Sequence, residues 1–148
     1  MENYQNMKKA LYTFLVAGLF LIAGNANAQC NAEEYTNNCI PQLANGFNFL
    51  KSYKIDGQGG SKTKVEYSYV FTKGTQYMIN VCATGESTDG IIVSLFDSNR
   101  NQVATSKFNG QYLTAIAYPC NTTGIYYIQY TFDNSDQFCG GSALGFKR

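Results

Sequence analysis

From Phe47 onward the chain is punctuated too often to hold a helical crossover, and that spacing constrains its fold more than any other feature. A parallel strand pair needs about a dozen linking residues, usually a helix. Here Lys73-Gly74, Asp89-Gly90, Asn109-Gly110 and the Asp97-Ser98-Asn99-Arg100-Asn101 cluster interrupt short runs of Tyr, Val, Ile, Phe and Thr, and Gly57, Gly59 and Gly60 mark a loop. Such residues tolerate the backbone of hairpin turns. The runs predict eight strands, at 47–54, 64–72, 75–83, 91–97, 102–107, 112–118, 124–132 and 141–147. Several alternate: Val65, Tyr67, Tyr69 and Phe71 share a face against Lys64, Glu66 and Ser68, and Tyr77, Ile79 and Val81 oppose Met78, Asn80 and Cys82. Alternation of this period is the mark of a strand with one buried face. The expectation is an all-β antiparallel sandwich or small barrel.

The N-terminus has another character. Met7-Lys8-Lys9 is a short basic patch, Ala10 to Ala23 is almost unbroken in apolar residues, and Ala26-Asn27-Ala28 offers an A-x-A cleavage site. This is the three-part pattern of a cleavable signal peptide, covering 1–28, with Met7 the more natural start. The apolar run is short for a retained membrane anchor, and Gln29 before Cys30 argues against lipid attachment. Cleavage predicts a secreted or periplasmic chain, Gln29 to Arg148, with no transmembrane segment. Of 11 basic and 10 acidic residues, Lys8, Lys9 and Glu2 leave with the signal, so nine of each sign remain. A neutral chain without basic clusters suits neither nucleic acid nor an anionic membrane surface.

All five cysteines lie in the mature part, where export makes disulfides the default. An odd count leaves at least one thiol free or joined to another chain. The segment 29–46 holds Cys30 and Cys39 around a short helix or turn at 31–38, stopped by Pro41, and precedes the sandwich at 47–148. If consecutive strands alternate in direction, Cys82 and Cys139 fall at one end and Cys120 at the other. A strand spans roughly 20–30 Å at ~3.3 Å per residue, and disulfide Cα atoms lie within about 7 Å. The pair Cys82–Cys139 is therefore allowed and Cys120–Cys139 disfavoured. Cys30 and Cys39 would close a local loop, or one would reach Cys120.

Three segments carry a resemblance. Thr75 to Val81 reads T-Q-Y-M-I-N-V after Lys73-Gly74, Ile91 to Asn99 reads I-I-V-S-L-F-D-S-N, and Asn121 to Tyr130 reads N-T-T-G-I-Y-Y-I-Q-Y. Over about Val65 to Phe132 the chain resembles the bacterial pre-peptidase C-terminal (PPC) domain family. The resemblance implies a jelly-roll-like β-sandwich that accompanies secreted enzymes without being catalytic. No enzyme domain accompanies it here. Where the family has an acidic strand, this chain has Asp89 followed by apolar residues, which leaves little of a calcium role.

The chemistry available is narrow. With no histidine, the chain lacks the usual general base for a serine or cysteine nucleophile and the commonest metal ligand. Most of its carboxylates fall in turns, where Asp is expected for turn chemistry alone, so no catalytic residue is assigned and no enzyme is expected. Asp89, Asp133 and Asp136 are the candidate calcium ligands; no other cofactor is implied. No C-x-x-C pair supports zinc. Tyr127 beside Gln129 lies on the face opposite Tyr126, Ile128 and Tyr130, where it would form a platform for a sugar or peptide. The reading that results is an exported, non-catalytic binding or structural module with a protein or glycan partner in the envelope or outside the cell. The alternatives are a small secreted hydrolase or protease inhibitor, and a self-assembling surface protein suggested by the odd cysteine.

Overall fold

The computed structural model describes residues 29–84 and 87–148; the proposed signal peptide lies outside the described residues. The helix α1 (Ala32–Cys39) and a 3₁₀ turn (Ile40–Gln42) precede ten strands: β1 (Asn48–Asp56), β2 (Lys64–Phe71), β3 (Gln76–Cys82), β4 (Ile91–Phe96), β5 (Gln102–Thr105), β6 (Lys107–Phe108), β7 (Gln111–Tyr112), β8 (Ala115–Pro119), β9 (Gly124–Phe132) and β10 (Cys139–Lys147). Eight of them make two four-stranded sheets, ordered β1-β10-β3-β8 and β2-β9-β4-β5, and β6-β7 form a separate hairpin. Every pairing is antiparallel. Among the eight sandwich strands the first pairs with the last, the second with the next to last, and so inward to β4 with β5. That nested order is a jelly roll. The expected strands 102–107 and 112–118 are corrected: each run breaks early, and the residues between β5 and β8 fold into the hairpin.

The core lies between the sheets. Alternation puts Tyr77, Ile79 and Val81 of β3, Ile91, Val93 and Leu95 of β4, and Tyr126, Ile128 and Tyr130 of β9 inside. Phe71 is fully buried, stacked on Tyr77 at 3.8 Å and on Tyr126 at 4.8 Å between ring centroids. Such aromatic contacts add to simple area burial. Tyrosine tolerates this core where its hydroxyl finds a partner: Tyr130 donates to Ser142 Oγ at 2.7 Å. Tyr53, 2% exposed, finds none among the described residues, and burial, together with Tyr69 and Tyr67, pushes its pKa up to about 12. Tyr53→Phe removes a desolvated hydroxyl without opening a cavity. Urea unfolding is expected to show stability unchanged or raised by up to about 1 kcal/mol; a comparable loss would mean the hydroxyl is satisfied.

The N-terminal segment covers the outward face of the β1-β10-β3-β8 sheet. An eight-residue helix is too short to persist alone. Glu33 and Glu34 in its first turn suit the helix dipole, but tertiary contacts hold it. The helix lies across Gly141: a Cβ there would sit 2.3 Å from Thr36 N and 2.5 Å from the Tyr35 carbonyl carbon. Asn80 donates to Cys39 O and accepts from Ala143 N–H, both at 2.8 Å. Disulfides bracket the helix, Cys30–Cys139 at its start and Cys39–Cys82 at its end.

Both expected pairings are thereby corrected. Strand direction does bring Cys82 and Cys139 to one end, but Gly141 is the residue opposite Cys82. Cys139 therefore sits on the same-face diagonal, about 7–8 Å away, at the limit of disulfide reach, and α1 crosses above it. Cys30 and Cys39 flank a helix whose rise of about 1.5 Å per residue keeps them apart, so no local loop closes. Neither reaches Cys120, which is unpaired and buried in the core. The thiol that suggested covalent self-assembly is not presented to another chain.

Candidate functional site

The two ends of the sandwich are built differently. One carries the short links 72–75, 97–101 and 120–123. The other carries the longer links 57–63, 83–90, 106–114 and 133–138, and these are tied to one another. The Asp89 carboxylate accepts from the Ser135 hydroxyl at 2.7 Å and from the N–H groups of Asp136 and Gln137 at 3.2 and 3.0 Å. Gly90 follows with φ +68°, and its carbonyl accepts the Asp133 N–H at 2.9 Å. A side chain at Gly90 would meet the Asp133 carbonyl oxygen at 2.0 Å, so the approach requires glycine. Gly57 N–H donates to Phe138 O at 2.8 Å, and the Phe138 ring packs on Phe132.

The hairpin projects from this end. Asn109 and Gly110 both have positive φ, +50° and +77°, the two-residue turn whose twist matches antiparallel strands. Its root is Ser106, fully buried, which donates its N–H to Val93 O at 2.8 Å and accepts Val93 N–H on Oγ at 3.0 Å. Its flank is braced by the Asp133 carboxylate, which accepts from the Lys107 ammonium and, at 2.9 Å, from the Tyr112 hydroxyl. Phe108 beside the turn stays 64% exposed, and Leu113 is exposed as well.

Lys107 and Tyr112 hold the Asp133 carboxyl below its ordinary value of 3.8; the same contact raises Lys107 above 10.5. The sign follows for each. Asp133 supports the docked hairpin fully above pH about 3.8, and the support is lost as pH falls through its depressed folded value. Lys107 supports it below about 10.5, and the support is lost as pH rises through its raised value. Hydrogen exchange at 107–112 is therefore expected to show constant protection factors from pH 5 to 9, with loosening only outside both limits. A midpoint near pH 6 would contradict the brace.

The sequence-derived candidates fall in two places, the loop-rich end and the outward face of the β2-β9-β4-β5 sheet. Asp89 and Asp136 are neighbours through the Asp136 backbone, while Asp133 is engaged by the hairpin. Among the described residues no three His, Cys, Asp or Glu side chains converge on a metal position. Tyr127 and Gln129 lie together on the outward face of the β2-β9-β4-β5 sheet. The Arg100 guanidinium covers the Tyr127 ring at 3.5 Å, and Glu66 accepts from both Arg100, at 2.8 Å, and Gln129, at 3.1 Å. Burial raises the Glu66 carboxyl, but these hydrogen bonds together with the charges of Arg100 and Lys64 hold it below its ordinary value. The tyrosine face expected to be an open platform is thus occupied by the protein's own arginine.

A cleft of about 610 Å³ opens between the edges of β1 and β2, lined by Cys30, Glu33, Lys54, Asp56, Lys62, Val65 and Tyr67 among others. Its carboxylates are engaged within the protein: Glu33 pairs with Lys54 at 3.0 Å, and Asp56 accepts Gln58 N–H at 2.8 Å. Arg100 and Phe108 are absent from the expected site residues. Asn109-Gly110 was the available signal for the hairpin, whereas no local pattern announces that Arg100 folds across Tyr127.

No family model matches the chain, and no curated protein matches it. Among the solved structures that resemble it are two at low identity. One is PliG of Aeromonas hydrophila, a periplasmic lysozyme inhibitor of g-type lysozyme, with 14% identity, 72% of this chain and 92% of that chain covered, and a TM-score of 0.44. The other belongs to the Glycosylation Associate Protein (Gap123) complex of Streptococcus agalactiae, with 12% identity, coverage of 70% and 39%, and a TM-score of 0.40. No described helix is long and apolar enough to cross a membrane.

Proposed function

We propose that this protein is an exported, non-catalytic binding module that engages a protein partner through the loop-rich end of its sandwich, with the β6-β7 hairpin as the leading element. Two disulfides support the exported reading, since such bridges persist in oxidising compartments. The observation that carries the contact surface is Phe108: a buried root and an ionic brace hold the hairpin, yet this ring is left 64% exposed. An aromatic presented on a fixed backbone loses little entropy on docking, as interface anchors do. The narrow hairpin, with exposed Phe108 beside its turn, also favours a second reading, an inhibitor that wedges into the cleft of a hydrolase.

A benzoyl-phenylalanine photocrosslinker at position 108, compared with one at Lys73 on the opposite end, tests the surface in envelope extracts. The expected result is a discrete adduct from position 108 alone, with Phe108→Ser weakening capture of that species about tenfold or more. Equal labelling from both ends, or no adduct at 108, would overturn the proposal. For the inhibitor reading, relief of inhibition by Phe108→Ser across a panel of secreted glycan and peptide hydrolases is the expected outcome.

A further inference from the structure

The four sheet edges are not equally protected. β1 is broken by a register shift between Phe49 and Lys51, and Tyr67 donates its hydroxyl to Lys54 O at 2.6 Å. β5 is only four residues long and pairs with β4 through a shift between Leu95 and Phe96. β8 ends in Pro119. Shortness, bulges and proline are among the means of blunting an edge. β2 has none of these three and carries charge only at Lys64 and Glu66: eight residues run in unbroken register from Lys64↔Thr131 to Phe71↔Gly124, and among the described residues no strand pairs with its other side.

We infer that the free edge of β2 receives an extended segment of a partner protein as an added antiparallel strand, with an apolar residue facing Val70 and an acidic residue six positions later facing Lys64. The outward row of β2 is graded. At one end Val70, 57% exposed, lies across from Ile125, 49% exposed. At the other end Lys64 is exposed and forms no ion pair among the described residues, and Lys62 lies just before the strand at the cleft. Glu66, between Lys64 and Val70, is already engaged by Arg100 and Gln129. On the inward side Val65 and Tyr67 face the 610 Å³ cleft, where alternate side chains of an added strand would enter. Main-chain bonds then supply affinity and the two rows supply selectivity.

The same grading argues against a second copy of this chain. Two-fold pairing of β2 with itself about Tyr67 sets Lys64 opposite Val70, and pairing about Ser68 sets it opposite Thr72. In both cases the ammonium meets no acid; pairing about Val65 sets it opposite Glu66, but joins only residues 64–66 of the strand, and that carboxylate is already held by Arg100 and Gln129. A foreign strand that is apolar at its N-terminal end and acidic at its C-terminal end satisfies both ends of the edge.

The probe is the nonapeptide Ile-Thr-Thr-Val-Thr-Val-Glu-Thr-Glu, capped at both termini, whose first residue would face Val70 and whose seventh would face Lys64. Fluorescence anisotropy is expected to show saturable micromolar binding, with amide shift changes concentrated on β2. N-methylation of one alternate set of peptide amides should abolish binding and of the other set leave it. Lys64→Glu should weaken the peptide about fivefold and favour a version ending in lysines. Equal binding by the reversed sequence, indifference to both N-methyl sets, or absence of binding at millimolar peptide would overturn the inference. So would concentration-dependent dimers of the peptide-free protein that Val70→Lys abolishes, since these would make a second copy the occupant.

Discussion

Replacing Cys39 and Cys82 together by alanine is expected to lower the free energy of unfolding by about 3–5 kcal/mol. Removing a native bridge from a small exported domain costs roughly 2–5 kcal/mol, chiefly by releasing the unfolded chain from a closed loop. Here the loop has a sequence separation of 43, and packing adds to it. Cys39 is fully buried, and with Cys82 and Ala143 it forms a small second core between α1 and the sheet. Losing the bridge also frees the Cys39 carbonyl that Asn80 holds. Chemical denaturation under non-reducing conditions reads the effect directly. A loss below 1 kcal/mol would mean that the helix is held by its other contacts and the bridge is redundant. Cys120 gives the variant no substitute partner, because it is buried in the main core.

Gly141→Val is expected to cost about 3 kcal/mol, at the upper end for a residue forced into filled space. The atoms in its way are backbone, Thr36 N at 2.3 Å and Tyr35 C at 2.5 Å, so no side-chain rotation relieves the clash. Either α1 lifts or β10 bends between its two neighbours, and lifting strains both bridges at once. The effects should then be strongly non-additive: in the Cys39→Ala, Cys82→Ala background the helix is free to move, and the added cost of Gly141→Val should fall well below its cost in the bridged protein. Strict additivity would place the damage in the strand rather than in the helix seat.

These two sites also mark where the sequence stops being readable. Strand positions follow from a period of two and from turn residues, both local, so β2, β4 and β9 come out within a residue or so of their true bounds. The helix is equally local, with its acidic first turn and its proline stop. Disulfide partners are not local. Parity correctly places Cys82 and Cys139 at one end, but only the burial of a helix over Gly141 decides that each takes an N-terminal partner instead. The hairpin is hidden because two-residue strands carry no period, so Lys107 and Tyr112 are absorbed into the runs on either side. Nor does anything near Asp89 or Asp133 in sequence show that Ser135 and two loop amides bind the first, and Lys107 and Tyr112 the second. Arg100 sits in a cluster whose composition says only turn.

The nested pairing of the strands has a consequence for the order in which the domain can close. β1 is completed only by β10, and β2 only by β9, so the contacts that close the domain join its most distant residues. High contact order of this kind slows folding, because loop closure is opposed by chain entropy before any contact compensates for it. A chain that emerges N-terminus first cannot finish this fold early, since the strand that seats between β1 and β3 is the last one made. The domain stays open until that strand arrives, and the Cys30–Cys139 bridge can form only then.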